Sequence, residues 1–195
     1  CLDLEEFVTR SNGVFGKSGT GKTFLTRLLL LGILQKSAAV NLVFDMQSEY
    51  GWMGTSEGSG VVKGLKQLFP SQVSTFTLDE ESSRRRGSST DEVVRIGYGD
   101  IEPEDIQLLR ETLNLSEVAA SAAHNLQQKF GQRDWMKNFL ALEGRSDVAQ
   151  LAQDLGVQPQ ALGSLLNRLR NIARYGFLEE RSQYDAAGKI IEHLE

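Results

Sequence analysis

Gly16-Lys17-Ser18-Gly19-Thr20-Gly21-Lys22-Thr23 matches the pattern G-x-x-x-x-G-K-[ST] at every position. In such a loop the glycines let successive backbone N–H groups turn inward onto phosphate oxygens, where a side chain would stand in the way. A helix predicted from Lys22 to Lys36 adds the positive end of its dipole to the same spot. Gly16, Ser18, Gly19, Thr20 and Gly21 then line a phosphate cradle, Lys22 reaches the β- and γ-phosphates, and the Thr23 hydroxyl is placed to ligate Mg²⁺. ATP and Mg²⁺ are the expected ligands. Lys17 holds a variable loop position and reads as a solvated lysine. No Asn-Lys-x-Asp stretch occurs, so nothing points to guanine.

On either side of the loop the pattern is that of an α/β unit. Val14-Phe15 reads as the end of a strand. The Lys22–Lys36 helix carries Phe24, Leu25, Leu28 to Leu31, Ile33 and Leu34, apolar on most faces, as a crossover helix against a sheet would be. Ala39-Val40-Asn41-Leu42-Val43-Phe44 is a nearly continuous apolar run of strand length, the pattern of a parallel strand covered on both faces. Asp45 follows at the edge where ligands collect in open α/β sheets, placed to hold Mg²⁺ through water or to orient an attacking water. Glu49 stands close enough to share that work.

The glycine-rich stretch from Gly51 to Gly64 reads as a connection. Within it, Gly54-Thr55-Ser56-Glu57-Gly58 fits the G-x-S-x-G nucleophile elbow. That elbow needs a strand before it and a helix after it, and neither is predicted here. His124 and His193 are the only candidate bases, and His124 lies in an alanine-rich helix. Val73 to Leu78 reads as a strand near a sheet edge. Phe76 to Glu80 ends in Asp-Glu like a Walker B strand, but Ser74, Thr75 and Thr77 make it a poor central strand. Residues 79–92, with Arg84-Arg85-Arg86, have the composition of a solvated loop, and Val93 to Ile96 reads as another short strand.

From Pro103 the period becomes helical, with Pro103 suited to a first helical position. Helices are expected from about 117 to 130, 135 to 142, 147 to 155 and 159 to 175. The expected organisation is a nucleotide-binding α/β core over 1–102, a helical lobe over 103–182, and a return toward the core over 183–195.

A formal net charge of −5 excludes a protein coated in positive charge, while leaving room for local basic patches. The longest apolar stretch, Phe24 to Leu34, is too short to span a bilayer, so no membrane helix is expected. One cysteine excludes an internal disulfide, and one cysteine with two histidines makes no zinc site. A reducing, cytoplasmic setting fits this composition. The chain opens on Cys1-Leu2 without an initiator methionine and reads as a piece of a longer protein.

Asn12 to Phe15, Phe24-Leu25-Thr26-Arg27, and Leu42-Val43-Phe44-Asp45-Met46-Gln47-Ser48-Glu49-Tyr50-Gly51 resemble the HerA-type branch of the HerA–FtsK ATPases, with the close match over residues 10–52. In that family the second strand ends in an Asp-x-x-x-Glu-Tyr stretch, here Asp45 to Tyr50. Gly97 to Ile106 and the helices after it resemble the helical insertion of that ATPase domain. The resemblance implies a P-loop NTPase of RecA-like type, a parallel-sheet core with an all-helical lobe inserted after it. It further implies a hexameric ring that hydrolyses ATP to move double-stranded DNA, together with a partner nuclease. Carried over residue by residue, it gives Lys22, Asp45 and Glu49 to catalysis and Thr23 and Asp45 to the metal. Gln47 stands where the family often has histidine. The family's main Walker B strand, its catalytic glutamate and its arginine finger follow the insertion, which places them beyond Glu195.

A second reading comes from Val148 to Val157 followed by Pro159 to Tyr175. A short helix, a glycine-containing turn and a helix bearing Arg168, Arg170 and Arg174 match a helix-turn-helix over 146–182. Tyr184 to Ile191, turning at Asp185 to Gly188, would then be a wing hairpin, and the chain a nucleotide-regulated DNA-binding protein. A small-molecule phosphotransferase is a third reading, with no acceptor pocket in evidence.

Overall fold

The computed structural model describes residues 2–55 and 61–194. Two compact units emerge: residues 1–93 with 188–195, and residues 94–187.

The first unit opens with helix α1, Leu4–Val8, whose N-terminus is capped by the Asp3 carboxylate accepting from the amides of Glu5 and Glu6 at 3.0 and 3.2 Å. After the glycine loop comes α2, Lys22–Lys36, with the bounds expected from sequence. Strands β1, Gly54–Thr55, and β2, Val61–Val62, pair antiparallel. The Ser56 of the nucleophile-elbow pattern lies outside the described residues. A short α3, Leu65–Leu68, follows, then β3, Phe76–Thr77. Residues 79–92 are not all loop: Glu80–Arg85 form α4, because Asp79 accepts from the Ser82 amide at 2.8 Å and caps the turn. Arg84 and Arg85 pair with Glu80 and Glu81 one turn back, which turns an apparent basic cluster into a helix face of matched charges. Strand β4, Glu92–Val93, pairs parallel with β3.

Neither Val14-Phe15 nor Ala39 to Phe44 forms a strand. Among the described residues no segment pairs with them, and Phe15 and Phe44 are 93% and 85% exposed. The expected parallel pairing of these two segments is therefore corrected. A run apolar on both sides becomes a buried strand only when other strands supply its hydrogen bonds and other layers cover its faces.

The Lys66 ammonium ties the first unit's turns together, donating to the carbonyls of Pro70 and Val73 and pairing with Asp91 at 2.9 Å. Asp91 also accepts from the amide and hydroxyl of Thr75 at 2.7 and 2.9 Å, next to the β3–β4 pair. The end of the chain returns to this unit: the His193 ring packs edge-on against Phe76 at 5.3 Å and its Nδ1 lies 3.0 Å from the Ser74 hydroxyl.

The second unit begins with β5, Ile96–Gly97, paired parallel to β6, Leu178–Glu179. Thus the apolar run from Val93 to Ile96 is split between two different sheets. A 3₁₀ turn at Tyr98–Asp100 leads to five helices: α5 Pro103–Leu108, α6 Glu117–Phe130, α7 Trp135–Leu140, α8 Arg145–Leu155 and α9 Pro159–Ile172. No described residue between 103 and 176 is in a strand. Helix α6 starts at a Ser116 cap and buries Ala119, Ala120, Ala122, Ala123 and Leu126. Its alanines let α5, α7 and α9 approach closely around it. Trp135, Met136 and Phe139 from α7 and Leu162, Leu165, Leu166 and Leu169 from α9 complete the core. The Trp135 indole donates to the Ile101 carbonyl at 3.0 Å, which satisfies its one polar atom inside that core.

The expected wing hairpin is also corrected. Ala186–Glu192 form helix α10, with Lys189 and Glu192 paired at 3.0 Å. Adjacent Ile190 and Ile191 do not alternate with polar residues as a hairpin strand requires, and alanine, lysine and glutamate favour the helix. Among the described residues no helix is long and apolar enough to cross a membrane.

Two outcomes are expected. Trp135→Ala removes a fully buried indole and destabilises the helical unit by about 3–5 kcal/mol in chemical denaturation, a core-truncation cost. For Asp91, burial raises the carboxyl pKa, but the hydrogen bonds from Lys66 and from Thr75 outweigh that and hold it below the ordinary value of 3.8. Its contribution to stability is therefore complete above that value and is lost as the pH falls through the lowered one. Asp91→Asn should cost about 1 kcal/mol at pH 7 in urea titrations, and the difference from the wild type should shrink as the pH falls through the lowered value, because a charged hydrogen-bonded pair is replaced by a neutral one.

Candidate nucleotide-binding site

Five of the ten described α-helices carry an acidic residue in the first turn: α1, α4, α5, α6 and α8. Helix α2, the longest at 15 residues, does the opposite: it has no acid in the first turn and begins with Lys22. Its N-cap residue, Gly21, has a left-handed backbone with φ 85° and offers no side-chain cap. A cation at the positive end of a helix and uncapped N–H groups are both unfavourable locally, and both become favourable when an anion binds there.

The loop has no room for larger residues at its entry. A Cβ on Gly16 would lie 2.6 Å from the Thr20 hydroxyl, inside any permissible contact. Gly19 and Gly21 both take positive φ, at 77° and 85°. The Thr20 hydroxyl donates to the Lys17 carbonyl at 2.7 Å, and the Lys22 ammonium folds back onto the same oxygen at 2.7 Å. Lys17 thus contributes its backbone to the loop. Gly16 to Gly21 are all exposed, while Lys22 and Thr23 are half-buried.

The second half of the site is the turn from Asp45 to Gly51. The two Asp45 carboxylate oxygens accept three backbone N–H groups: Oδ1 from Glu49 at 2.8 Å, and Oδ2 from Tyr50 at 2.8 Å and Gly51 at 3.3 Å. Ser48 takes φ 57° so that the chain can double back. The closed turn is then fastened to α2, where the Arg27 guanidinium donates from Nε at 2.7 Å and from Nη2 to the carbonyl oxygen of Glu49. One helical turn earlier, the Thr23 hydroxyl donates to Glu49 Oε2 at 3.1 Å.

The structure therefore brings Thr23 and Glu49, 26 residues apart, into direct contact, and sets Asp45 behind Glu49 with its carboxylate on the backbone. Arg27 was not among the candidates from sequence. It lies four residues after Thr23 on the same helix face, but that spacing alone does not show which group it grips. The set fits Mg²⁺ and a nucleotide: a hydroxyl and a carboxylate are hard oxygen ligands of the kind Mg²⁺ takes, and the Gly16 contact marks a cradle that a side chain would fill.

Two other candidates have partners of their own. Asp79 is occupied in capping α4. His124 is half-buried on α6, 3.9 Å from Glu104.

No curated protein and no solved structure matches the chain significantly. The family model described as the central domain of helicase HerA matches residues 1–195. The resemblance carried by the glycine loop and the Asp45–Gly51 turn thus extends over the whole span, and the chain belongs to the HerA helicase family, in its central domain.

Proposed function

We propose that this chain is the ATP-binding and ATP-hydrolysing part of a ring-shaped, hexameric translocase that acts on double-stranded DNA. The observation that carries this reading is the contact of Glu49 with the Thr23 hydroxyl beside a phosphate-loop helix.

In this reading Gly16, Ser18, Gly19, Thr20 and Gly21 surround the phosphates with backbone N–H groups, and Lys22 swings from the Lys17 carbonyl to the β- and γ-phosphates. Thr23 and Glu49 would hold Mg²⁺, and Asp45 would contribute to the metal through water. The bound metal neutralises phosphate charge and fixes the geometry of transfer. A Glu49 carboxylate oxygen also accepts a hydrogen bond from the attacking water and orients it. Asp45 sets the angle at which Glu49 meets the helix.

Phosphoryl transfer also needs a cation on the departing charge. Arg27 lies on the helix that follows the loop, yet its guanidinium is engaged by the Glu49 carbonyl. A neighbouring subunit's arginine filling that role would make hydrolysis depend on ring assembly, and its loss typically costs ~10³–10⁵ in rate. The same ring supports the proposed action on DNA and a partner nuclease.

Lys22→Ala should weaken Mg·ATP binding at least ~10-fold in calorimetry with an unchanged thermal melt, since it removes a charge-assisted contact and no core volume. Unchanged affinity would overturn the reading. Glu49→Gln should keep nucleotide binding and lower steady-state hydrolysis by ~10²-fold or more. Asp45→Asn, which keeps the shape but weakens acceptance from three amides, should lower it by a smaller factor.

A further inference from the structure

Helices α8 and α9 are joined by only Gly156, Val157 and Gln158, with Gly156 at φ 64° making the turn. Two helices linked by a three-residue turn through a left-handed glycine have the connectivity of a helix-turn-helix. The second helix has two opposite faces. Leu162, Leu165, Leu166 and Leu169 are buried in the core of the helical unit. Gln160, Ser164, Asn167 and Asn171 recur at i, i+4, i+7 and i+11, which puts them on one stripe on the other side. Gln160, Asn167 and Asn171 are exposed, and Ser164 and Arg168 are half-buried at the edge of that stripe. Arg174 stands exposed just past the end of the helix.

Among the described residues, none of these six side chains makes a hydrogen bond or ion pair. Arg170 differs. It donates to the carbonyls of Leu140, at 3.3 Å, and Leu142, and so belongs to the fold. The charge around the stripe is also set apart from the rest of the chain. From Leu155 to Leu178 there is no aspartate or glutamate and there are three arginines, in a protein whose formal net charge is −5.

The chemistry of the stripe selects its partner. Carboxamides and a hydroxyl are paired donors and acceptors that match base edges in the major groove, asparagine and glutamine with adenine above all. The free guanidinium groups of Arg168 and Arg174 suit backbone phosphates. A protein partner would call for aromatic or aliphatic anchors, and the stripe contains none. We infer that the exposed face of α9 is a contact for duplex DNA, with Gln160, Asn167 and Asn171 toward the base edges and Arg168 and Arg174 on the phosphates. This contact is separate from nucleotide binding and stands independently of it.

The test uses the full-length protein without nucleotide and a fluorescein-labelled duplex of ~30 base pairs, read by anisotropy across a salt series. Two surface pairs are compared, Asn167→Ala with Asn171→Ala, and Arg168→Ala with Arg174→Ala, each first checked for an unchanged thermal melt. The amide pair should lose ~10-fold in affinity or more at an unchanged salt slope. The arginine pair should reduce the slope of log K against log salt by about 2, one for each phosphate contact. Lys22→Ala should bind the duplex like the wild type. If both pairs retain wild-type affinity and slope, or if the wild type holds no duplex at low salt, the inference fails. It fails equally if the pairs leave DNA binding intact and instead change the oligomeric mass in sedimentation, which would make this face a protein contact.

Discussion

Asp45 closes one turn of backbone, and the geometry of the candidate site depends on that closure. Three amides converge on its carboxylate. Without them the chain after Phe44 would have no reason to double back, and Glu49 would not meet the helix that follows the glycine loop. With them, a single guanidinium on α2 is enough to fix the turn, because Arg27 grips the carbonyl of the same residue whose carboxylate touches Thr23. The site is thus built from local capping chemistry and one helix face, and it stands among residues that bury little.

The two units are stabilised in different ways. The helical unit surrounds an alanine-rich helix and buries Trp135, Met136, Phe139 and four leucines of α9 in one continuous core. Among the described residues of the first unit, Ile33 and Leu65 are the buried hydrophobics, while Phe15, Val40, Leu42 and Phe44 are exposed. Its order rests on polar ties, with Lys66 reaching two carbonyls and Asp91, and Asp45 and Asp79 each holding a turn. A unit organised in this way depends on the partners of a few polar groups, whereas the helical unit answers to cavities.

This difference explains what was legible from sequence. The bounds of α2 and α6, the start of α5 at Pro103 and the glycine turn after α8 could all be read, because a helix is specified by neighbours within four residues and by its caps. The short strands could not be placed, since pairing is decided by partners far along the chain: in the run from Val93 to Ile96, Val93 pairs with Thr77 before it and Ile96 with Leu178 far after it. Ala39 to Phe44 has a buried strand's composition without the neighbours that would make it one. At the site, the glycine loop, Lys22 and Thr23 could be named from the motif alone. Arg27 escaped notice because an arginine inside an apolar helix shows its role only when the carbonyl it grips is known. For α10, the alternative reading of a wing hairpin arises because an Asp-Ala-Ala-Gly turn signal precedes two isoleucines, and adjacent apolar residues suit either structure.

The central claim is that Thr23 and Glu49, brought together by the Asp45 turn, form the metal side of a nucleotide site whose phosphate side is the glycine loop. A crystal structure of the protein with Mn²⁺ in place of Mg²⁺ and a non-hydrolysable ATP analogue, recorded at a wavelength where manganese scatters anomalously, tests it most directly. The account predicts one anomalous peak at ligand distance from the Thr23 hydroxyl, with Glu49 directly or through water in its shell and the phosphates against the amides of Gly19 to Thr23. A metal held elsewhere, or a nucleotide whose phosphates lie away from this loop, would contradict it.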